Sequence, residues 1–105
     1  MAQPGLTNAE VLEQVRRLVG QRRVTWTRHL EEMLAERGLA KDQVIDCLRI
    51  GYFEEDPVIP NRAGDIEYKF RMRATVDGEQ ISVVASLIPQ TRVVAITVFD
   101  PEKRN

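Results

Sequence analysis

Apolar residues in this chain follow two different periods. Over residues 8–50 they recur every three or four positions, and over 66–99 they alternate or run together. Val11, Leu12, Val15, Leu18 and Val19 predict a first helix, capped by Thr7 or Asn8 and stopped by Gly20. VTWT, 24–27, is short and β-prone and reads as a first strand. Thr27 then caps a second helix, RHLEEMLAERG, which Gly38 closes. A third helix is expected over about 41–50, with Val44, Ile45, Cys47 and Leu48 as its apolar side and Gly51 as its stop. YFEEDPVIP reads as a short edge strand, because Pro57 and Pro60 bring no N–H to a ladder. NRAGD, 61–65, reads as a turn.

The stretch IEYKFRMRATVDG, 66–78, alternates almost without fault and ends in Asp77-Gly78, a two-residue hairpin signal. Pairing Val76 with Glu79 across that turn sets Ala74 against Ile81, Met72 against Val83, Phe70 against Ala85 and Tyr68 against Leu87. All four pairs are apolar, which supports the register. The opposite face pairs Arg73 with Ser82, Arg71 with Val84 and Lys69 with Ser86. VVAITVF, 93–99, is apolar on both faces, as a central strand is.

The order helix, short strand, two helices, four strands predicts an α+β fold with helices packed on one face of a small, mainly antiparallel sheet. The apolar strand face meets the helices. The face carrying Lys69, Arg71, Arg73, Ser82 and Ser86 is then the open side. It is either a solvated surface or a platform for an anion. Three cations at two-residue spacing lie about 6.5–7 Å apart, and hydroxyls beside them can donate to phosphate oxygens.

On a helical wheel His29, Met33, Arg37, Leu30 and Leu34 fall within about 140°, so the expected core-facing stripe of the second helix carries a histidine at its edge and an arginine in its middle. His29 has the chemistry of a general base, or it ties helix to sheet. Arg37 needs a partner if it is buried, for which Asp56, Glu67 or helix carbonyls serve. Trp26 is expected in the core.

With 105 residues the chain fits one domain, with residues 1–6 as a lead-in, 7–99 as the folded unit and 100–105 as a polar tail. The formal charge of −1 argues against a strongly basic nucleic-acid binder but leaves room for a local basic patch. Cys47, the single cysteine, excludes an intrachain disulfide and a cysteine zinc site. One histidine with no carboxylates at ligand spacing gives no metal site, and scattered glycines give no nucleotide loop, so no metal and no cofactor are expected. No signal-type segment follows Met1 and no run is long enough to span a membrane, so a cytoplasmic protein is expected.

At TWTRHLEEMLAERGLAKDQVIDCLRIGYFEEDP the chain resembles a bacterial family of domains of unknown function similar to the RelE/ParE toxins and their BrnT- and MqsR-like branches. Thr27-x-His29, Met33, Glu36-Arg37-Gly38-Leu39, Val44, Leu48 and Gly51 carry the resemblance, which covers about 24–99 and leaves the first helix as an addition. It implies a small RelE-like α+β fold and a toxin of a two-gene toxin–antitoxin pair. The implied activity is metal-independent endoribonuclease cleavage of mRNA, with an antitoxin protein and RNA or the ribosome as partners. His29 would act as base or orienting group. Arg37, Arg71 and Arg73 would neutralise developing charge, and Lys69, Arg71, Arg73, Ser82 and Ser86 would hold phosphate. The alternative on the same fold is a non-catalytic domain that binds a protein partner through the sheet edge or a helix face.

Overall fold

The computed structural model describes residues 5–58 and 67–101. The turn expected at 61–65, and Ile66 at the start of the alternating stretch, lie outside the described residues. The elements are α1 (Asn8–Gly20), β1 (Val24–Trp26), α2 (Arg28–Arg37), α3 (Lys41–Ile50), β2 (Tyr52–Phe53), β3 (Tyr68–Val76), β4 (Glu79–Ile88) and β5 (Arg92–Phe99). They form an α+β fold around one five-stranded sheet in the order β1-β5-β4-β3-β2. β1 runs parallel to β5, and every other pair is antiparallel.

The expected hairpin holds residue for residue: Val76 pairs with Glu79, Phe70 with Ala85 and Tyr68 with Leu87. Asp77 and Gly78 both take positive φ, 51° and 82°, the backbone of a primed turn whose twist matches the strands it joins. β5 lies inside the sheet, as its two-sided apolar sequence requires. The edges are short. β1 has three residues and β2 two, with a further single bridge from Val58 to Lys69.

α1 and α3 pack against each other and onto the sheet face made by Phe70, Met72, Ile81, Val83, Ala85 and Val93, all buried. Val11, Val15, Leu18, Val44, Cys47 and Leu48 meet that face from the helices, each 0–2 % exposed, so the three- and four-residue spacing of the sequence is the core stripe of both helices. α1 begins with a capping box: the Thr7 hydroxyl accepts from Glu10 N–H, and the Glu10 carboxylate accepts from Thr7 N–H.

α2 packs on β5 rather than between α1 and α3. Its buried side chains are Leu30 and Leu34, with Met33 half-buried. His29 and Arg37 are exposed, which corrects the expected stripe. A ten-residue helix beside one strand buries a narrower arc than the wheel drew, and the two polar residues at that arc's margin stay in water. Trp26, expected in the core, is half-buried at the sheet edge with the Lys41 ammonium 5.2 Å from its ring centroid.

Thr27 joins α2 to the sheet. Its hydroxyl accepts from Leu30 N–H at 3.1 Å, which caps the helix, and donates to the Ile96 carbonyl at 3.0 Å. Ile96 is the extra residue where the β4–β5 register shifts: Val84 faces Thr97, but Ala85 faces Ala95. Thr27→Ala is therefore expected to lower stability by about 1–2 kcal/mol. Thr27→Ser should lose less than half of that. Urea denaturation midpoints of the two variants check it, and equal losses would deny the hydroxyl this double role.

A candidate anion seat on the sheet face

Strand alternation carries Phe53 inward, where its ring meets Phe70 edge-on at 5.5 Å. It therefore carries Tyr52 and Glu54 outward, to the face of Arg71 and Arg73. Glu54 N–H donates to the Arg71 carbonyl at 2.9 Å and continues the β2–β3 ladder by one residue. Glu54 thus stands over the cationic face that the sequence alone leaves open.

Two carboxylates, two arginines, a serine and a glutamine meet on this face. Ser82 Oγ donates to Glu54 Oε1 at 2.6 Å. Arg71 Nε is 3.5 Å from the same oxygen, and Arg73 Nη1 is 3.8 Å from Oε2. Glu55 Oε1 lies 3.8 Å from Arg71 Nη2. Gln80 Oε1 accepts from Arg73 Nε at 2.7 Å and also from Nη2. The Arg71 guanidinium lies over the Phe99 ring, 6.0 Å from its centroid. The Glu54 side chain is 16 % exposed and that of Arg73 28 %, so these charges meet where solvent screens them only in part. Arg71 Nε is buried and makes no hydrogen bond. The carboxylate sits among both arginines without filling the donor set.

Of the residues expected at a site, the structure brings together Arg71, Arg73 and Ser82. Lys69 is on the same strand and exposed, beside a pocket of about 310 Å³ that Arg71, Val84, Glu55, Asp56 and Val58 also line. Ser82 and Ser86 are buried, 0 % and 3 % exposed, which corrects the picture of hydroxyls on an open face. His29 and Arg37 stand on α2, which packs on β5, two strands from β3 in the sheet order. No hydrogen bond or ion pair joins either to the seat among the described residues.

Glu54 and Gln80 complete the seat, and neither was expected there from the sequence. The signal was present: the acidic run Glu54-Glu55-Asp56 follows a two-residue strand and precedes the cationic alternation, and cross-strand pairing favours opposite charges. Arg71 thus meets Glu54 and Glu55, and Arg73 meets Glu54, both carboxylates of one short segment.

Among the described residues no His, Cys, Asp and Glu side chains gather into a group suited to a metal ion, and no helix is long and apolar enough to cross a membrane. Neither a family model, nor a curated protein, nor a solved structure matches this chain.

Proposed function

We propose that this domain is the toxin-like member of a bacterial toxin–antitoxin pair and engages RNA through the seat on β3, with metal-independent endoribonuclease cleavage of mRNA as its activity. The observation that carries the reading is the convergence of Arg71, Arg73 and the Ser82 hydroxyl on one carboxylate. A guanidinium pair with an adjacent hydroxyl donor suits a phosphate at least as well as a carboxylate, since both present oxygens to the planar N–H fork. In this reading a phosphodiester replaces Glu54, Arg71 Nε gains the acceptor it lacks, and the arginines stabilise charge as the ribose 2′-hydroxyl attacks phosphorus. His29 is the candidate base; since it stands on α2 over β5, an RNA held on β3 would have to extend across β4 to bring its ribose within reach.

A specific observation favours a second reading, a non-catalytic domain that binds protein. The chain's own carboxylates already occupy the seat, and Ile50, Tyr52 and Val58, 59–64 % exposed, lie along the same short edge.

Expression in bacteria separates the two. The first reading expects growth arrest with RNA cleavage, lost in both His29→Ala and Arg71→Ala. It also expects Glu54→Gln to bind single-stranded RNA about tenfold more tightly than the parent at low salt, because the competing charge is gone while its shape remains. Normal growth with intact RNA, together with no gain in RNA affinity for Glu54→Gln, would eliminate the RNA reading and leave the protein-binding one.

A further inference from the structure

We propose that the cleft between the end of α1, β1 and α3 is a nucleotide-binding site that takes a phosphate on Arg16, Arg22 and Arg49 and a base against Trp26, Val24 and Ile45. This cleft has a volume of about 960 Å³, three times that of the pocket beside the seat and within the range of small-molecule sites of roughly 300–1,000 Å³. It opens at the β1 edge, with two strands between β1 and β3, and the inference does not depend on the RNA reading.

Three of the arginines without a carboxylate partner among the described residues, Arg16, Arg22 and Arg49, line this one cleft. Arg71 and Arg73 are held by carboxylates, and Arg17 and Arg28 face glutamates one helical turn away. Arg22 and Arg49 have no carboxylate in ion-pair range among the described residues, and the guanidinium of Arg16 donates only to the Gly51 carbonyl, at 3.2 Å. Planar N–H forks without a carboxylate partner, gathered around one concavity, suit phosphate oxygens.

Arg22 also occupies a costly backbone position. Its φ is +62°, and Arg23 N–H reaches back to the Leu18 carbonyl at 2.9 Å while Arg22 N–H bonds Val19. This is the left-handed residue that ends α1, a place where glycine is the usual occupant because it carries no Cβ penalty. The chain puts there a long cation that lines the cleft, which stability alone does not favour.

The far wall suits a base. Trp26, Val24 and Ile45 are half-buried, and the indole is fixed from one side by Lys41, itself paired with Glu31 at 2.9 Å. Asp42 and Asp46 stand one turn apart on α3 at the same cleft. Beside a bare polyphosphate these carboxylates would repel. Beside a nucleobase they accept hydrogen bonds from exocyclic amino groups. The phosphate-bearing base comes either from a free mononucleotide or from one unit of a single strand of RNA.

Trp26 is the only tryptophan in the chain, so its fluorescence reports on the cleft directly. Titration with AMP, GMP, CMP and UMP is expected to give a saturable change with at least one of them, and inorganic phosphate a binding weaker by about tenfold or more. Arg49→Glu and Arg22→Gly should each weaken the nucleotide by about tenfold, while Arg71→Ala leaves it unchanged. Arg22→Gly should at the same time raise the melting temperature, so that its loss of binding cannot come from misfolding. A five-nucleotide RNA that binds far more tightly than any monomer assigns the site to a strand, and equal affinities assign it to the free nucleotide. The inference is overturned if neither mononucleotides nor the RNA perturb Trp26 saturably, if phosphate alone matches them, or if both arginine variants bind like the parent.

Discussion

Gly51→Ala is expected to destabilise the protein at or beyond the upper end of the roughly 1–3 kcal/mol that overpacking a core costs. Gly51 is buried where α3 ends and β2 begins, and its N–H closes the helix on the Cys47 carbonyl at 2.8 Å. A Cβ added there would lie 2.5 Å from the Cys47 oxygen and 2.8 Å from the Arg73 oxygen. Both contacts are backbone, so no side chain can rotate away, and either the last turn of α3 or the middle of β3 has to move. Its φ of −76° is open to any residue, so the cost comes from close approach and not from backbone conformation. The same displacement shifts Tyr52 and Glu54 against Arg71 and Arg73, so the variant should loosen the seat before it unfolds. Chemical denaturation of Gly51→Ala beside the parent gives the measurement. A loss below about 1 kcal/mol would mean that α3 does not dock on β3 as tightly as the distances say.

Alkaline pH is the second large effect. The Cys47 thiol, 0 % exposed, donates to the Met72 carbonyl at 3.6 Å and lies 3.9 Å from that of Ile81. Burial, with a smaller contribution from the Glu54 charge, pushes its pKa from 9.0 up to about 12. The unfolded chain therefore loses this proton near pH 9, whereas the folded chain keeps it to about 12. Between those values the folded state binds the extra proton, so stability falls as pH rises, by about 1.4 kcal/mol per pH unit from this group. Below pH 9 the thiol adds no slope. Cys47→Ala should start from a lower stability, because it removes core volume, and then fall less steeply between pH 9 and 11. The two proteins differ at this one side chain, so the difference in slope isolates the thiol. Parallel stability curves for parent and variant would show that the thiol is not desolvated as the structure places it. Thiol reagents at neutral pH should label Cys47 only after unfolding.

The site was legible in part. Arg71, Arg73 and Ser82 could be set on one face from alternation and the Asp77-Gly78 turn, because a period of two and a two-residue reversal leave the register no freedom. What covers that face could not be read the same way. Glu54 arrives through a two-residue strand whose pairing with β3 is a contact between segments that the sequence separates. His29 and Arg37 went astray for a related reason. A wheel gives the angular order of side chains around a helix but not the width of the arc its neighbours cover, and α2 packs chiefly on β5. The cleft beside Trp26 could not be read along the chain: Arg16, Arg17, Arg22 and Arg23 stand out as a basic stretch, but only the packing of α1, β1 and α3 brings Arg16 and Arg22 to one concavity with Arg49.

Local chemistry was enough to specify the helices, the Thr7 and Thr27 caps, the Gly38 stop of α2, the β3–β4 hairpin and the interior position of β5, because each depends on residues within a few positions or on one periodic face. Long-range packing alone decided the parallel pairing of β1 with β5, the carboxylate over the arginines, the tight passage at Gly51 and the cleft beside Trp26. Those features join segments whose separate patterns are indifferent to which partner they meet, and burial of the common core selects among the pairings.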